Sequence, residues 1–196
     1  MNNTIQESLD FIGLYELEDK TIAPGIVEFY ENNPNLHHDA VSGAGKNNEI
    51  VKSRDISLFI SDFVSKEHEV FFKYLNHLKD SFNHYKENMK YLSNMFPEMN
   101  CNEVLIKKYL KDDHYQKWHC ERTSLKTSDR AFAWMTYLNT VNNGGETDFY
   151  YYNKSIKPKE GLTLIWPADW THIHRGVVSH TSEKTIVTGW FGFREF

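Results

Sequence analysis

The 196-residue sequence has few cysteines, no long apolar run and no excess of positive charge. Two cysteines, Cys101 and Cys120, are too few for a secreted scaffold held by disulfides, so we expect free thiols. No apolar stretch reaches the roughly 20 residues that a membrane-spanning helix needs. The first residues also lack the basic segment and apolar run of a signal peptide. These absences predict a cytoplasmic protein that does not enter a membrane.

Acidic residues outnumber basic ones, 27 to 22, and the net charge is −5. Nucleic-acid-binding domains are usually basic, so the composition argues against a nucleic acid as the partner. Apolar and aromatic side chains are abundant, at 40% and 15% of the chain, which is typical of a folded globular protein. The length fits one domain spanning residues 1–196, with helical support in 1–100 and a β core in 101–196.

The first half of the chain carries the helical patterns. Residues 10–16 predict a short strand, residues 22–32 a helix with Thr21 at its cap and Pro24 in its first turn, and residues 34–49 a loop. Over residues 66–93, apolar side chains recur at steps of three and four, which predicts a long amphipathic helix packed on a sheet. The stripe consists of Phe71, Leu75, Leu78, Phe82, Tyr85, Met89 and Leu92.

The second half of the chain reads as strands separated by polar or glycine-rich turns, chiefly residues 142–145 and 157–161. Helices followed by a run of antiparallel strands predict an α+β, mainly β fold: a sandwich or open barrel with helices on one face. The predicted strands are 50–58, 104–109, 114–121, 131–139, 146–152, 161–166, 173–179 and 184–193.

His119 and Glu121 form a pair of potential metal ligands. Residues two apart on a strand share a face, so these two side chains project together and Cys120 points away. One imidazole and one carboxylate make up two-thirds of the 2-His-1-carboxylate set that suits non-haem iron(II). The His-x-Glu pattern is common by chance, and alone it indicates only a strand with a satisfied histidine.

A third ligand has to come from another segment, and His172, His174 and His180 are the candidates. Lys184 lies ten residues after His174 in an apolar strand, where a lone buried cation would be very unfavourable. A bound dicarboxylate would supply its partner, and a charge-assisted hydrogen bond of this kind contributes roughly 1.5–3 kcal/mol.

Together these features resemble the 2-oxoglutarate/iron(II) oxygenases, and most nearly their prolyl 4-hydroxylase-like branch. The resemblance covers residues 50–193. It rests on the His-x-acid pair, the distal histidine with a basic residue ten positions later, and Tyr109 ten positions before His119. The hairpin from Tyr137 to residue 149 and Trp190, six after Lys184, are also similar. The family's fold is a double-stranded β-helix, a jelly-roll or cupin-like core with N-terminal helices packed on one sheet.

The resemblance implies that His119, Glu121 and His174 hold Fe(II), with the ten-residue step to Lys184 favouring His174 over its neighbour His172. It implies that 2-oxoglutarate binds the metal while its far carboxylate meets Lys184 and Tyr109. Dioxygen is the second cosubstrate, succinate and carbon dioxide are the co-products, and ascorbate is an expected reductant.

Other assignments leave alternatives open. Tyr137 lines the cosubstrate pocket or packs in the core. Arg130 and Trp190 are candidates for substrate contact, against an exposed arginine and a packing tryptophan. His180, Lys107, Lys108 and Lys117 are expected in solvent, and Arg175 is expected to face away from the site.

Glu121 departs from the family, which usually has Asp at this position. A small residue there would have indicated a halogenase, and Glu121 argues against one. The expected reaction is hydroxylation of a carbon centre, with a prolyl residue of a protein or peptide as the leading substrate. A free amino acid or other small molecule, or a metal-binding module with weak turnover, are the alternatives.

Overall fold

A computed structural model describes residues 10–41, 49–89, 91–96 and 98–193. Three α-helices and eleven strands follow one another in the described chain. The helices are α1 (Ile22–Asn32), α2 (Glu69–Glu87) and α3 (Leu92–Met95). The strands are β1 (Gly13–Glu16), β2 (His38–Asp39), β3 (Arg54–Phe59), β4 (Glu103–Tyr109), β5 (Tyr115–His119), β6 (Arg130–Tyr137), β7 (Thr147–Phe149), β8 (Lys154–Ile156), β9 (Leu162–Pro167), β10 (His174–Gly176) and β11 (Lys184–Gly192).

The strands form two antiparallel sheets. The larger has the order β1-β9-β6-β11-β4-β3-β2, and the smaller has the order β5-β10-β7-β8. The strands from β4 to β11 alternate between the larger and the smaller sheet, except that β7 and β8 form a hairpin within the smaller one. The double-stranded β-helix expected from the resemblance is confirmed.

Strand β6 shows how the larger sheet divides the interior. Side chains alternate between the two faces of a strand, and both faces of β6 are buried. Phe132 and Trp134 belong to the core that packs on α1 and α2. Ala133, Met135 and Tyr137 belong to a second core shared with the smaller sheet. The helices therefore cover one face of the larger sheet and leave the other for the site.

Helix α2 ends earlier than the sequence pattern predicts. The prediction of a single helix over residues 66–93 is wrong, because α2 ends at Glu87 and a separate short helix begins at Leu92. Asn88 at the break is a weak helix former, and its side-chain amide lies 3.0 Å from Nδ1 of His84. The apolar stripe itself faces the core: Phe71, Leu78, Phe82 and Tyr85 are buried, and Leu75, Met89 and Leu92 pack against them.

Two further residues of α2 are buried although the stripe omits them. Tyr74 is fully buried, and its hydroxyl lies 2.8 Å from Oγ1 of Thr136 on β6. Lys86 is also buried, with its ammonium 5.0 Å from the centre of the Phe82 ring and bonded to the Phe96 carbonyl. Its long aliphatic stem allows this burial while the charged group keeps polar contacts.

The remaining differences concern the ends of predicted elements. The predicted loop 34–49 contains strand β2, which pairs with β3, and residues 42–48 of it lie outside the described residues. The predicted strand 146–152 stops at Phe149, where a turn leads into β8. The predicted strand 173–179 shortens to β10, whose register with β5 shifts after His174. Among the described residues, the helices are too short or too polar to cross a bilayer.

Candidate metal and cosubstrate site

Three predicted ligands converge in the described structure. His119 ends β5 and His174 begins β10, and the two are register partners in the smaller sheet. Glu121 stands two residues beyond the end of β5, where its backbone N–H donates to the carbonyl of Ala168 at 3.1 Å. Oε1 of Glu121 lies 3.3 Å from Nε2 of His174 and 3.7 Å from Nε2 of His119. Within the described chain, this is the one group of three such side chains whose ligand atoms all lie within 4.8 Å of one another.

Backbone carbonyls fix the orientation of both imidazoles. Nδ1 of His119 lies 2.8 Å from the carbonyl oxygen of Lys117, and Nδ1 of His174 lies 2.9 Å from that of His172. Each Nδ1 must therefore carry the proton, which leaves the lone pair of Nε2 facing the other ligands. Burial, and then the neighbouring His174, lower the pKa of His119 to about 4. His119 is neutral near pH 7, the form that binds a metal.

Glu121 supplies the negative charge of the group. Burial raises its pKa, but contacts with His174 and His119 and a hydrogen bond from Trp190 more than offset this and leave the pKa at about 2. The carboxylate is therefore ionised across the physiological range. Two imidazole nitrogens and one carboxylate oxygen close to one another fit iron(II) in donor type and number.

The two candidate substrate residues both contact Glu121. The indole Nε1 of Trp190 donates to Oε2 of Glu121 at 2.9 Å. A guanidinium nitrogen of Arg130 lies 3.7 Å from the same oxygen, and the guanidinium carbon lies 3.4 Å from the centre of the Trp190 ring. Burial lowers the pKa of Arg130, and the charge of Glu121 opposes that effect.

Lys184 is a buried cation that is bonded to a backbone carbonyl. It is 7% exposed, and its ammonium donates to the carbonyl of Gly145 at 2.9 Å. Burial lowers its pKa to about 8, and the more distant Glu146 raises it in part. In the part of the chain that the structure describes, no carboxylate forms an ion pair with it. A bound dicarboxylate would satisfy this group, as expected for the cosubstrate.

The two predicted cosubstrate tyrosines occupy different positions. Tyr109 lines the same cavity as Lys184, its register partner, whose ammonium lies 5.1 Å from the centre of the tyrosine ring. Burial raises the pKa of Tyr109 well above its usual value, so its hydroxyl stays protonated. Tyr137 is fully buried behind Thr147, and its hydroxyl lies 2.6 Å from Oγ1 of that residue. Thr147, which the sequence analysis missed, lines the cavity instead.

The site opens into a cavity of about 330 Å³ between the two sheets. This volume lies in the range of small-ligand pockets, which is roughly 300–1,000 Å³. Besides the residues named above, its wall includes Leu105, Lys107, Tyr115, Met135, Trp166, Arg175, Ile186 and Thr188.

The expectation that Lys107 and Lys108 are solvated is wrong. Lys107 lines the cavity and forms an ion pair with buried Asp55. Lys108 is largely buried and pairs with Glu31 at 2.8 Å and with Glu183 at 3.1 Å. The signal for Lys107 was available, because it lies two residues before Tyr109 on one strand and therefore shares its face.

Arg175 lies in the cavity wall, and its side-chain contacts lie on the strand face opposite to that of His174. Its guanidinium carbon lies 4.5 Å from the centre of the Trp118 ring. Two of its nitrogens donate to the same carboxylate oxygen of Asp148 at 3.2 Å. Trp118 and Asp148 alternate along their strands with His119 and Phe149, which pair with His174, so these contacts agree with the predicted orientation.

The rival histidines lie outside the group. His172 is 2% exposed, and its Nε2 lies 2.9 Å from the carbonyl oxygen of Asp10, so it is satisfied by the backbone. His180 is exposed and pairs with Asp112 at 2.6 Å, as expected for a loop histidine.

Two segments of the chain, each spanning ten residue positions, connect the same two residue pairs in opposite directions. Tyr109 and Lys184 are register partners in the larger sheet, and His119 and His174 are register partners in the smaller one. The chain passes from the first pair to the second through residues 110–118 and returns through residues 175–183. These two segments place the metal ligands and the buried cation in one cavity.

Comparison with known proteins agrees with this geometry. Residues 104–192 match the family model of the 2OG-Fe(II) oxygenase superfamily, and that range contains the triad, Tyr109 and Lys184. No curated protein sequence gives a significant match to the chain.

Several solved structures share the fold. A prolyl hydroxylase from Trichoplax adhaerens, in complex with a peptide fragment of the hypoxia inducible factor oxygen degradation domain, is 13% identical; the TM-score is 0.75, with 93% of this chain and 84% of that chain covered. A Pseudomonas putida prolyl-4-hydroxylase is 14% identical, with a TM-score of 0.71 and coverage of 93% and 92%. The viral collagen prolyl hydroxylase of Paramecium Bursaria Chlorella virus-1, in its 2OG complex, is 18% identical, with a TM-score of 0.64 and coverage of 94% and 97%. The match over residues 104–192 therefore indicates an Fe(II)- and 2-oxoglutarate-dependent dioxygenase similar to the 2OG-Fe(II) oxygenase superfamily, and the chain has the fold of the prolyl hydroxylases.

Proposed function

We propose that this dioxygenase hydroxylates a prolyl residue of a protein or peptide and releases succinate and carbon dioxide. The observation that carries the proposal is one cavity that holds the triad His119, Glu121 and His174 together with the buried cation Lys184. The substrate class is supported by the likeness of the whole fold to prolyl hydroxylases.

In this proposal the protein positions and shields the reactants. His119, Glu121 and His174 hold the iron, and Lys184 with Tyr109 holds the far carboxylate of the cosubstrate. The iron, together with 2-oxoglutarate and dioxygen, supplies the oxidising power for C–H hydroxylation. Met135 and Ile186 line the cavity with apolar surface, which limits the access of water.

A row of aromatic side chains next to the cavity supports a peptide as the substrate. Arg175 in the cavity wall contacts Trp118, whose ring meets the edge of Tyr150 at 5.2 Å. Tyr150 contacts Tyr151, whose ring centre lies 6.4 Å from that of Trp170. We name Trp118, Tyr150, Tyr151 and Trp170 the aromatic rim. Its last three members are more than half exposed, and aromatic grooves are a common docking surface for proline-rich segments.

Two of the similar proteins also support a peptide as the substrate. The viral one is described as a collagen prolyl hydroxylase, and the Trichoplax one was solved with a peptide fragment of hypoxia inducible factor. Their likeness to this chain is one of fold, so the peptide class is the level at which they support the proposal.

The test has two stages. Purified protein loaded with iron(II) should convert 2-oxoglutarate to succinate even without a substrate, and the variant His174→Ala should abolish this conversion. A library of proline-containing peptides should then yield products heavier by one oxygen atom. Peptides in which alanine replaces the proline are the matched control. Absence of succinate under all conditions would favour a metal-binding module without turnover.

A free amino acid or another small acid is the second candidate. Arg130 and Arg175 in the cavity wall favour it, because guanidinium groups bind carboxylates well. Incubation with free proline and with a blocked prolyl peptide separates the two classes. Hydroxylation of the free amino acid alone would overturn the peptide proposal while leaving the oxygenase assignment intact.

A further inference from the structure

The two oxygens of the Glu121 carboxylate have different partners. Oε1 faces Nε2 of both His174 and His119, at 3.3 and 3.7 Å. Oε2 points the other way and accepts the hydrogen bond from Nε1 of Trp190 at 2.9 Å. One oxygen is thus directed at the metal position and the other is held by the protein.

The group that holds Oε2 is itself fixed. Trp190 lies on β11 opposite Ala133 of β6, in the middle of the larger sheet. Arg130 lies at the start of β6, with its guanidinium over the indole and one nitrogen 3.4 Å from the backbone carbonyl of Glu121. Both side chains therefore come from the strand core, whereas Glu121 lies in the segment after β5.

We propose that Trp190, supported by Arg130, is a positioning residue that makes the longer Glu121 side chain a one-oxygen metal ligand. Glutamate has one more rotatable bond than aspartate, so its carboxylate can reach the metal position in more than one orientation. The indole N–H selects the orientation that presents Oε1 alone. The inference rests on the proposed metal role of the triad, and it gives Trp190 and Arg130 a role different from substrate contact.

A double-mutant cycle on metal binding tests this without turnover. Cobalt(II) or manganese(II) is titrated into metal-free protein without 2-oxoglutarate, using calorimetry and, for cobalt, the visible spectrum. The variant Trp190→Phe removes the N–H donor but keeps a ring beneath Arg130. It should weaken metal binding by about 10-fold, in the range usual for outer-shell partners of metal ligands. The cobalt spectrum should also change, because the carboxylate is free to reorient.

The second arm of the cycle changes the length of the side chain at position 121. In the Glu121→Asp background the carboxylate is one methylene shorter and does not reach the metal position and the indole together. Trp190→Phe should therefore change metal affinity by less than about 2-fold in that background. An equal loss in both backgrounds, or no loss beside Glu121, overturns the inference.

Two controls separate this result from other failures. Trp134→Phe changes a buried tryptophan on the opposite face of the same sheet, so it should lower stability without changing metal affinity. Glu121→Ala tests the proposed function itself. If it leaves metal affinity unchanged, the triad is not the metal site. If it abolishes binding while Trp190→Phe has no effect, only the positioning role fails.

Discussion

The ammonium of Lys184 is buried between the sheets and donates to the carbonyl oxygen of Gly145 at 2.9 Å. One neutral acceptor does not neutralise a buried cation, so this group is unfavourable for folding and suited to an anionic ligand. We therefore expect Lys184→Met to raise the Tm of the ligand-free protein, by about 2–4 °C for each kcal/mol gained. The same variant should lose the thermal stabilisation that 2-oxoglutarate gives to the wild type. A scan with and without the cosubstrate measures both effects, and a lower Tm in the ligand-free variant would contradict the first.

The pH dependence of cosubstrate binding follows from the same group. Burial lowers the pKa of Lys184 to about 8, so the free enzyme carries the cation below that pH and loses it above. The value of kcat/KM for 2-oxoglutarate should be level below pH 8 and then fall about tenfold per pH unit. Lys184→Arg keeps the charge over this range and should remove the fall. A fall of equal size in that variant would assign the titration to another group.

The loop that carries the Lys184 acceptor depends on glycine. Gly144 has φ of +77°, and a Cβ built on it would lie 2.3 Å from the carbonyl oxygen of Val178. Gly144→Ala should therefore destabilise the fold by about 1–3 kcal/mol or shift this loop. Since residue 145 follows directly, KM for 2-oxoglutarate should rise as well. Chemical denaturation and steady-state kinetics measure the two effects, and a variant with wild-type stability and KM would contradict the prediction.

Replacement of Glu121 by aspartate should reduce activity less than replacement by a residue without a carboxylate. Glu121→Ala removes one of the three proposed ligands and should abolish iron-dependent succinate formation. Glu121→Asp should preserve or improve turnover, because the shorter side chain keeps a carboxylate at the metal position. Uncoupled conversion of 2-oxoglutarate is the assay. Full activity in the alanine variant would remove Glu121 from the ligand set.

A substitution in the aromatic rim should raise KM for the peptide more than KM for the cosubstrate. Tyr150 is 60% exposed and contacts both Trp118 and Tyr151. Tyr150→Ala should raise KM for a proline-containing peptide by about 3- to 10-fold, since one exposed aromatic contact contributes roughly 0.5–1.5 kcal/mol. KM for 2-oxoglutarate serves as the internal reference, and equal changes in both would indicate a general structural effect.

The convergence of His119, Glu121 and His174 could be predicted from the sequence because the spacing of these residues encodes it. His119 and His174 lie on paired strands, and the ten-residue step to Lys184 distinguishes His174 from His172. Helix α2 was recognisable from its apolar stripe for the same reason, since periodicity reports which face is buried.

Features that depend on non-local contacts were not predictable. The strand pattern implies that Glu121 continues β5, but the backbone leaves the strand at His119 and bonds to Ala168 instead. Tyr137 proved to lie behind Thr147, and the partner of half-buried Lys107 proved to be Asp55. In each case the deciding partner comes from a distant segment, which a local pattern does not identify.

The paired ten-residue steps also bear on which diacids the enzyme accepts. The segments 110–118 and 175–183 connect the pair Tyr109 and Lys184 with the pair His119 and His174, so together they set the distance between the buried cation and the triad. Shortening or lengthening either segment would alter that span without changing any residue that touches the ligand. A preference for a five-carbon oxo-diacid would therefore depend on loop length as well as on side-chain identity.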